Sequence, residues 1–133
     1  MLDPNGIKTI SFTFILTVKD ECTVSVIDDR TISDMIGKVA LPAIEQDVTF
    51  TDTIGTKYTD QSYCGPRVYT LTPNHSFVTI STTKMILYTT NVPDTGVHPI
   101  TLTVSYQNFP MITLSKAFTA TIICEVQSYT LNS

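Results

Sequence analysis

The stretch Ile100-Thr101-Leu102-Thr103-Val104-Ser105-Tyr106 decides the fold. Its apolar residues recur at every second position, and side chains alternate between two faces along a strand but not along a helix. Ile100, Leu102, Val104 and Tyr106 therefore share one face, expected to be core, while Thr101, Thr103 and Ser105 share the other. By the same rule Tyr69 and Leu71 are expected inside and Val68 and Thr70 outside.

Outward from this segment the same period continues. Strands are expected over 9–18, 23–27, 46–51, 67–72, 77–80, 85–89, 100–106 and 117–123. Turn-forming residues separate them at Asp28-Asp29, Gly37, Gly55, Gly65-Pro66, Pro73-Asn74, Pro93-Asp94-Thr95-Gly96 and Asn108-Phe109-Pro110. Residues 30–45 carry two readings: a helical turn at Ser33-Asp34-Met35-Ile36-Gly37, or an irregular edge strand broken by Pro42. Short, regularly punctuated strands predict an all-β chain, an immunoglobulin-like antiparallel β-sandwich with an additional N-terminal strand.

Composition bounds the function. The 133 residues suit one sandwich-sized domain. Only 15% are charged, so threonine and other neutral polar groups must cover the surface. A net charge of −4 and eight scattered Lys and Arg leave no basic patch for nucleic acid. No apolar run is long enough to span a membrane. The segment Phe12-Thr13-Phe14-Ile15-Leu16-Thr17-Val18 is short and interrupted by threonine; Asp3 lies upstream and no small-residue cleavage site follows, so it does not read as a signal peptide.

The two ends of the chain echo one another. Phe12–Val18 precedes Cys22-Thr23-Val24-Ser25, and Phe118-Thr119-Ala120-Thr121-Ile122-Ile123 precedes Cys124-Glu125-Val126. The cysteine offset, 124 − 22 = 102 residues, is one immunoglobulin-sized period. This organises the chain as 1–21, the last strand of a preceding module or a donated strand; 22–124, a complete module; and 125–133, the start of a following module or a linker. Residues 7–19 are then an apolar strand in need of a sheet edge. A neighbouring copy in trans, or the chain's own module in cis, would supply it.

Three segments also carry a family resemblance: Tyr63-Cys64-Gly65-Pro66-Arg67-Val68-Tyr69-Thr70-Leu71-Thr72-Pro73, Asp94-Thr95-Gly96-Val97-His98-Pro99-Ile100-Thr101-Leu102-Thr103-Val104, and the strand from Phe118 to Cys124. Together they resemble the tandem Ig-like or cadherin-like repeats of large extracellular surface proteins of microbial eukaryotes, ciliates among them. The resemblance covers about 60–124 and, more faintly, 22–60. It implies an extracellular scaffold or adhesion role and names no ligand. Where the Asp-x-Gly-x-Tyr pattern has tyrosine this chain has His98, so the tyrosine-corner hydrogen bond does not carry over directly.

Three cysteines at this spacing, with two histidines, do not make a zinc site. In an immunoglobulin-like sandwich the first strand starts at the end where the second strand turns into the third. Cys22 and Cys64 are therefore expected to pair, leaving Cys124 at the far end as an inter-module cysteine. The competing pair is Cys64–Cys124, and the plain alternative is three free thiols. Asn74-His75-Ser76 is an N-glycosylation sequon in a turn, and the many threonines offer O-glycan positions. His75 and His98 sit in no catalytic pattern, and the five glycines form no phosphate-cradling loop. Asp20-Glu21 and Asp28-Asp29 lack the spacing of a calcium loop and read as solvated charge.

The expectation is a non-enzymatic extracellular or cell-surface protein without metal or cofactor, a structural repeat or filament subunit that assembles by strand addition with copies of itself or neighbouring modules. The alternative is a ligand-binding adhesin, for glycan or protein, that presents Tyr58, Tyr63 and Phe109 from loops at one end.

Overall fold

A computed structural model describes residues 4–18, 20–51 and 64–125. Within them the chain is all-β and forms two sheets. The strands are β1 (Met35–Lys38), β2 (Ile44–Asp47), β3 (Arg67–Thr72), β4 (Val78–Ser81), β5 (Lys84–Leu87), β6 (Gly96–Tyr106) and β7 (Thr113–Ile123). One sheet has the order β1-β7-β6-β3 and the other β2-β5-β4.

The long β6–β7 hairpin is the spine of the larger sheet, in register from Gly96 opposite Ile122 to Ser105 opposite Thr113. Its turn is the expected Asn108-Phe109-Pro110, closed by Phe109 N–H donating to Tyr106 O and Ile112 N–H to Phe109 O. Alternation operates as read: Ile100, Leu102, Val104 and Tyr106 are buried, as are Phe118, Ala120 and Ile122 across the hairpin. Met85, Leu87 and Val78 face them from the smaller sheet and join one contiguous core with Val48, Phe50 and Met35. Each such side chain stabilises the fold by about 1.5–3 kcal/mol through apolar burial. Tyr69 and Leu71 are half-buried against this core, with Val68 and Thr70 exposed.

Several expectations need correction. The additional N-terminal strand is not formed among the described residues: residues 9–18 carry no strand there. Residues 23–27 are not a strand either. Glu21–Val24 is a 3-10 helix capped by Asp20, whose side chain accepts from Cys22 N at 2.9 Å while its carbonyl accepts from Thr23 Oγ1 at 2.7 Å. These short-range bonds compete with a ladder and prevail. Alternation persists after it, with Ser25 and Ile27 buried and Val26 exposed, and Asp28 N–H donates to Thr51 O at 2.8 Å.

The helical turn at 33–37 is absent, and the edge-strand reading holds. Met35–Lys38 pairs with β7 in parallel, Met35 opposite Ala120 and Lys38 opposite Ile123, so the larger sheet is mixed and not wholly antiparallel. Gly37 is inside this strand and not in a turn. A Cβ there would stand 3.0 Å from Leu87 Cδ2, so its lack of a side chain lets the two sheets approach. The expected turn at Gly55 and the segment 126–133 lie outside the described residues.

Candidate functional site

Every residue from Pro4 to Val18 is exposed. Beyond an isolated bridge position at Lys8, residues 9–18 pair with no described strand, and the segment TISFTFILTV has no charged side chain. Phe12 is 85%, Phe14 80% and Ile15 93% exposed. Large apolar residues left in contiguous solvent exposure are the mark of an interaction surface.

The sheets have four outer strands, and they are not alike. At β1, Lys38 Nζ meets Glu125 Oε1 at 2.9 Å. At β2, Lys84 Nζ meets Glu45 Oε2 at 2.6 Å and Arg30 Nη1 meets Asp47 Oδ2 at 2.9 Å. The Thr49 hydroxyl, then Arg30, hold the Asp47 carboxyl below the usual carboxylate range, and Glu45 raises the Lys84 ammonium. Ahead of β1 the chain follows the edge of β7, with Lys116 paired to Asp29 and Thr119 N–H donating to Asp34 Oδ1 at 2.6 Å. Charge on an edge strand discourages further pairing.

On the opposite side β3 opens with Arg67, and charge ends there. From Val68 to Thr83 the sequence holds no Asp, Glu, Lys or Arg. Strand β3 pairs with β6 and β4 with β5, and among the described residues neither has a partner on its outer edge. Between them opens a groove of about 570 Å³, lined by Tyr69, Leu71, Val78, Thr79 and Ile80 and by His75 of the connecting loop. Burial in its wall pushes the Tyr69 phenol above its usual value.

The residues singled out from sequence occupy distinct places. Cys22 and Cys64 form a disulfide, with sulfurs 2.02 Å apart and both residues buried in the core. Cys22 reaches it from the 3-10 helix and not from a first strand as expected. Gly65 follows at φ 86, where a Cβ would meet Asn108 Nδ2 at 2.8 Å, so the turn after Cys64 requires glycine. Cys124 is free and exposed just past β7. Asn74 and Ser76 are exposed in the β3–β4 loop at the rim of the groove.

His98, at the start of β6, places Nε2 2.8 Å from the carbonyl oxygen of Asp94, four residues upstream. A carbonyl only accepts, so Nε2 carries the proton. Imidazole thus makes the backward bond that a tyrosine hydroxyl makes in a tyrosine corner. Sequence reasoning set this bond aside because it looked for the phenol and not for any ring donor at that position. His75 stacks on Phe77 at 4.7 Å, and His98 packs against both rings.

The acidic pairs are engaged by the protein itself: Asp20 caps the 3-10 helix, Asp28 Oδ2 accepts from Thr51 Oγ1 at 2.8 Å, and Asp29 pairs with Lys116. Among the described residues no group of three His, Cys, Asp or Glu side chains could hold a metal ion. No described helix is long and apolar enough to cross a membrane. Phe109 is half-buried against the core, and Tyr58 and Tyr63 lie outside the described residues. No family model matches the chain, and no curated protein matches it.

Proposed function

We propose that this chain is an immunoglobulin-like structural module of an extracellular assembly, joined copy to copy by strand addition from residues 9–18. The observation that carries the reading is the exposed, charge-free apolar segment from Thr9 to Val18, which pairs with no described strand. Its alternation suits a β-ladder, and a β-ladder requires an edge.

The spatial orders β7-β6-β3 and β2-β5-β4 support the immunoglobulin-like reading, since they follow the G-F-C and B-E-D orders of that sandwich. The His98–Asp94 bond at the start of the F-like strand supports it further. The Cys22–Cys64 disulfide favours an oxidising, extracellular compartment. Residues 22–124 are the module, and Cys124 is the cysteine offered to a neighbour. Asn74 carries an N-glycan when the chain passes through a glycosylating secretory route.

Light scattering of the full oxidised chain over a range of concentrations tests the function. The native sequence is expected to form linear oligomers without added ligand, seen as fibres by electron microscopy, and Phe12→Asp/Phe14→Asp to remain monomeric. A native chain that stays monomeric at all concentrations, or a double variant that assembles equally well, refutes strand addition. A monomer that instead binds on a glycan or receptor array would establish the adhesin alternative.

A further inference from the structure

We infer that the acceptor for the donated segment is the groove between the outer edges of β3 and β4 of a second copy of this chain. The inference rests on the strand-addition reading and adds the receiving surface. An added strand needs an unpaired ladder edge, apolar depth beneath it, and no charge to strip of water. Of the outer strands, β1 and β2 carry ion pairs with Glu125, Lys84 and Arg30. Burying such pairs under an apolar strand costs the hydration of each ion. Among the described residues, strands β3 and β4 present the open edges of two different sheets on one side of the molecule, and beyond Arg67, which opens β3, the sequence from Val68 to Thr83 is uncharged throughout.

Donor and acceptor match in chemistry and length. In a strand, Phe12, Phe14, Leu16 and Val18 share one face and Thr13, Ile15 and Thr17 the other. The first face meets the groove wall of Tyr69, Leu71, Val78 and Ile80. The six residues of β3 offer the longer of the two open ladders, enough to seat three inward side chains of the donor. Donor and acceptor surfaces differ, so each copy can give one strand and receive another. Such a head-to-tail contact does not close on itself as a two-fold one does, and it propagates into a filament.

Photo-cross-linking of the full oxidised chain, with benzoylphenylalanine in place of Phe14, tests the acceptor. Adducts are expected between copies and within residues 67–81; adducts on 35–38 or 44–47 would overturn the assignment. Thr70→Lys/Thr79→Lys places charge on two exposed outward positions with little burden on folding, checked by an unchanged melting transition. This variant is expected to lose self-assembly, yet to form a one-to-one dimer when mixed with Phe12→Asp/Phe14→Asp, since each variant retains the half the other lacks. Assembly of Thr70→Lys/Thr79→Lys at the native level would place the acceptor elsewhere while leaving strand donation intact. Assembly of the Phe12→Asp/Phe14→Asp variant would instead remove the donor and the acceptor together.

Discussion

The hydroxyl oxygens of Ser25 and Tyr106 lie 3.1 Å apart inside the core, between residues separated by 81 positions. The bond ties the end of β6 to the segment that leaves the 3-10 helix, next to the disulfide that anchors the same segment. Tyr106→Phe deletes the phenolic oxygen without opening a cavity and is expected to cost about 1 kcal/mol. Chemical denaturation of Tyr106→Phe, Ser25→Ala and the double variant should show costs that do not add, because one bond is lost in all three.

Removing the disulfide is expected to cost more. Cys22 and Cys64 close a loop with a sequence separation of 42, which in the chain-entropy model is worth about 4 kcal/mol. Cys22→Ser/Cys64→Ser, or the native chain under reductant, should melt roughly 10–20 °C lower. A change of only a degree or two would mean that the reduced chain is held together by its core alone.

At His98 the ring and its hydrogen bond can be separated. His98→Phe keeps the contacts to His75 and Phe77 and loses the bond to Asp94 O, for an expected cost of about 1 kcal/mol. His98→Ala loses both, for about 2–3 kcal/mol. Equal costs in the two variants would assign the stabilisation to the hydrogen bond alone.

Tyr69 gives the fold a pH dependence on the alkaline side. Desolvation in the groove wall disfavours the phenolate, so the folded pKa lies above the ordinary tyrosine value of about 10. Its contribution is fully present below that value and is lost as pH rises through the folded pKa. Tyr69→Phe should therefore lose less stability than the native chain between neutral pH and pH values above 10, as read from paired thermal melts.

A glycan at Asn74 would stand at the rim of the groove. Material made in a glycosylating host is expected to assemble less than the Asn74→Gln variant from the same host, and enzymatic removal of the glycan should close the difference. Intact mass spectrometry establishes occupancy beforehand.

Much of the fold is written in local alternation. The inward faces of β6 and of the second half of β7 follow from period two alone, as does the side of β3 that reaches the core, because a strand with one wet face must sort its residues this way. The turns at Gly65-Pro66 and Asn108-Phe109-Pro110 follow from residues that suit no strand interior. Local sequence misled where short-range bonds compete with ladders. Thr23-Val24-Ser25 has the composition of a strand, but the Asp20 cap folds it into a 3-10 helix. The parallel strand β1 was ambiguous because its pairing with β7, some eighty residues away, leaves no period in so short a segment.

By itself, then, the sequence determined an all-β chain, the buried face of its longest strands, and an apolar, charge-free segment from Thr9 to Val18. Only the tertiary structure decided that this segment pairs with no described strand, that Cys22 meets Cys64, that imidazole bonds back to Asp94, and that the edges of β3 and β4, free of charge beyond Arg67, open onto one groove. The division has a physical cause: side-chain direction along a strand is set by the backbone's own period, whereas the partner of an edge is set by which distant segments reach it first.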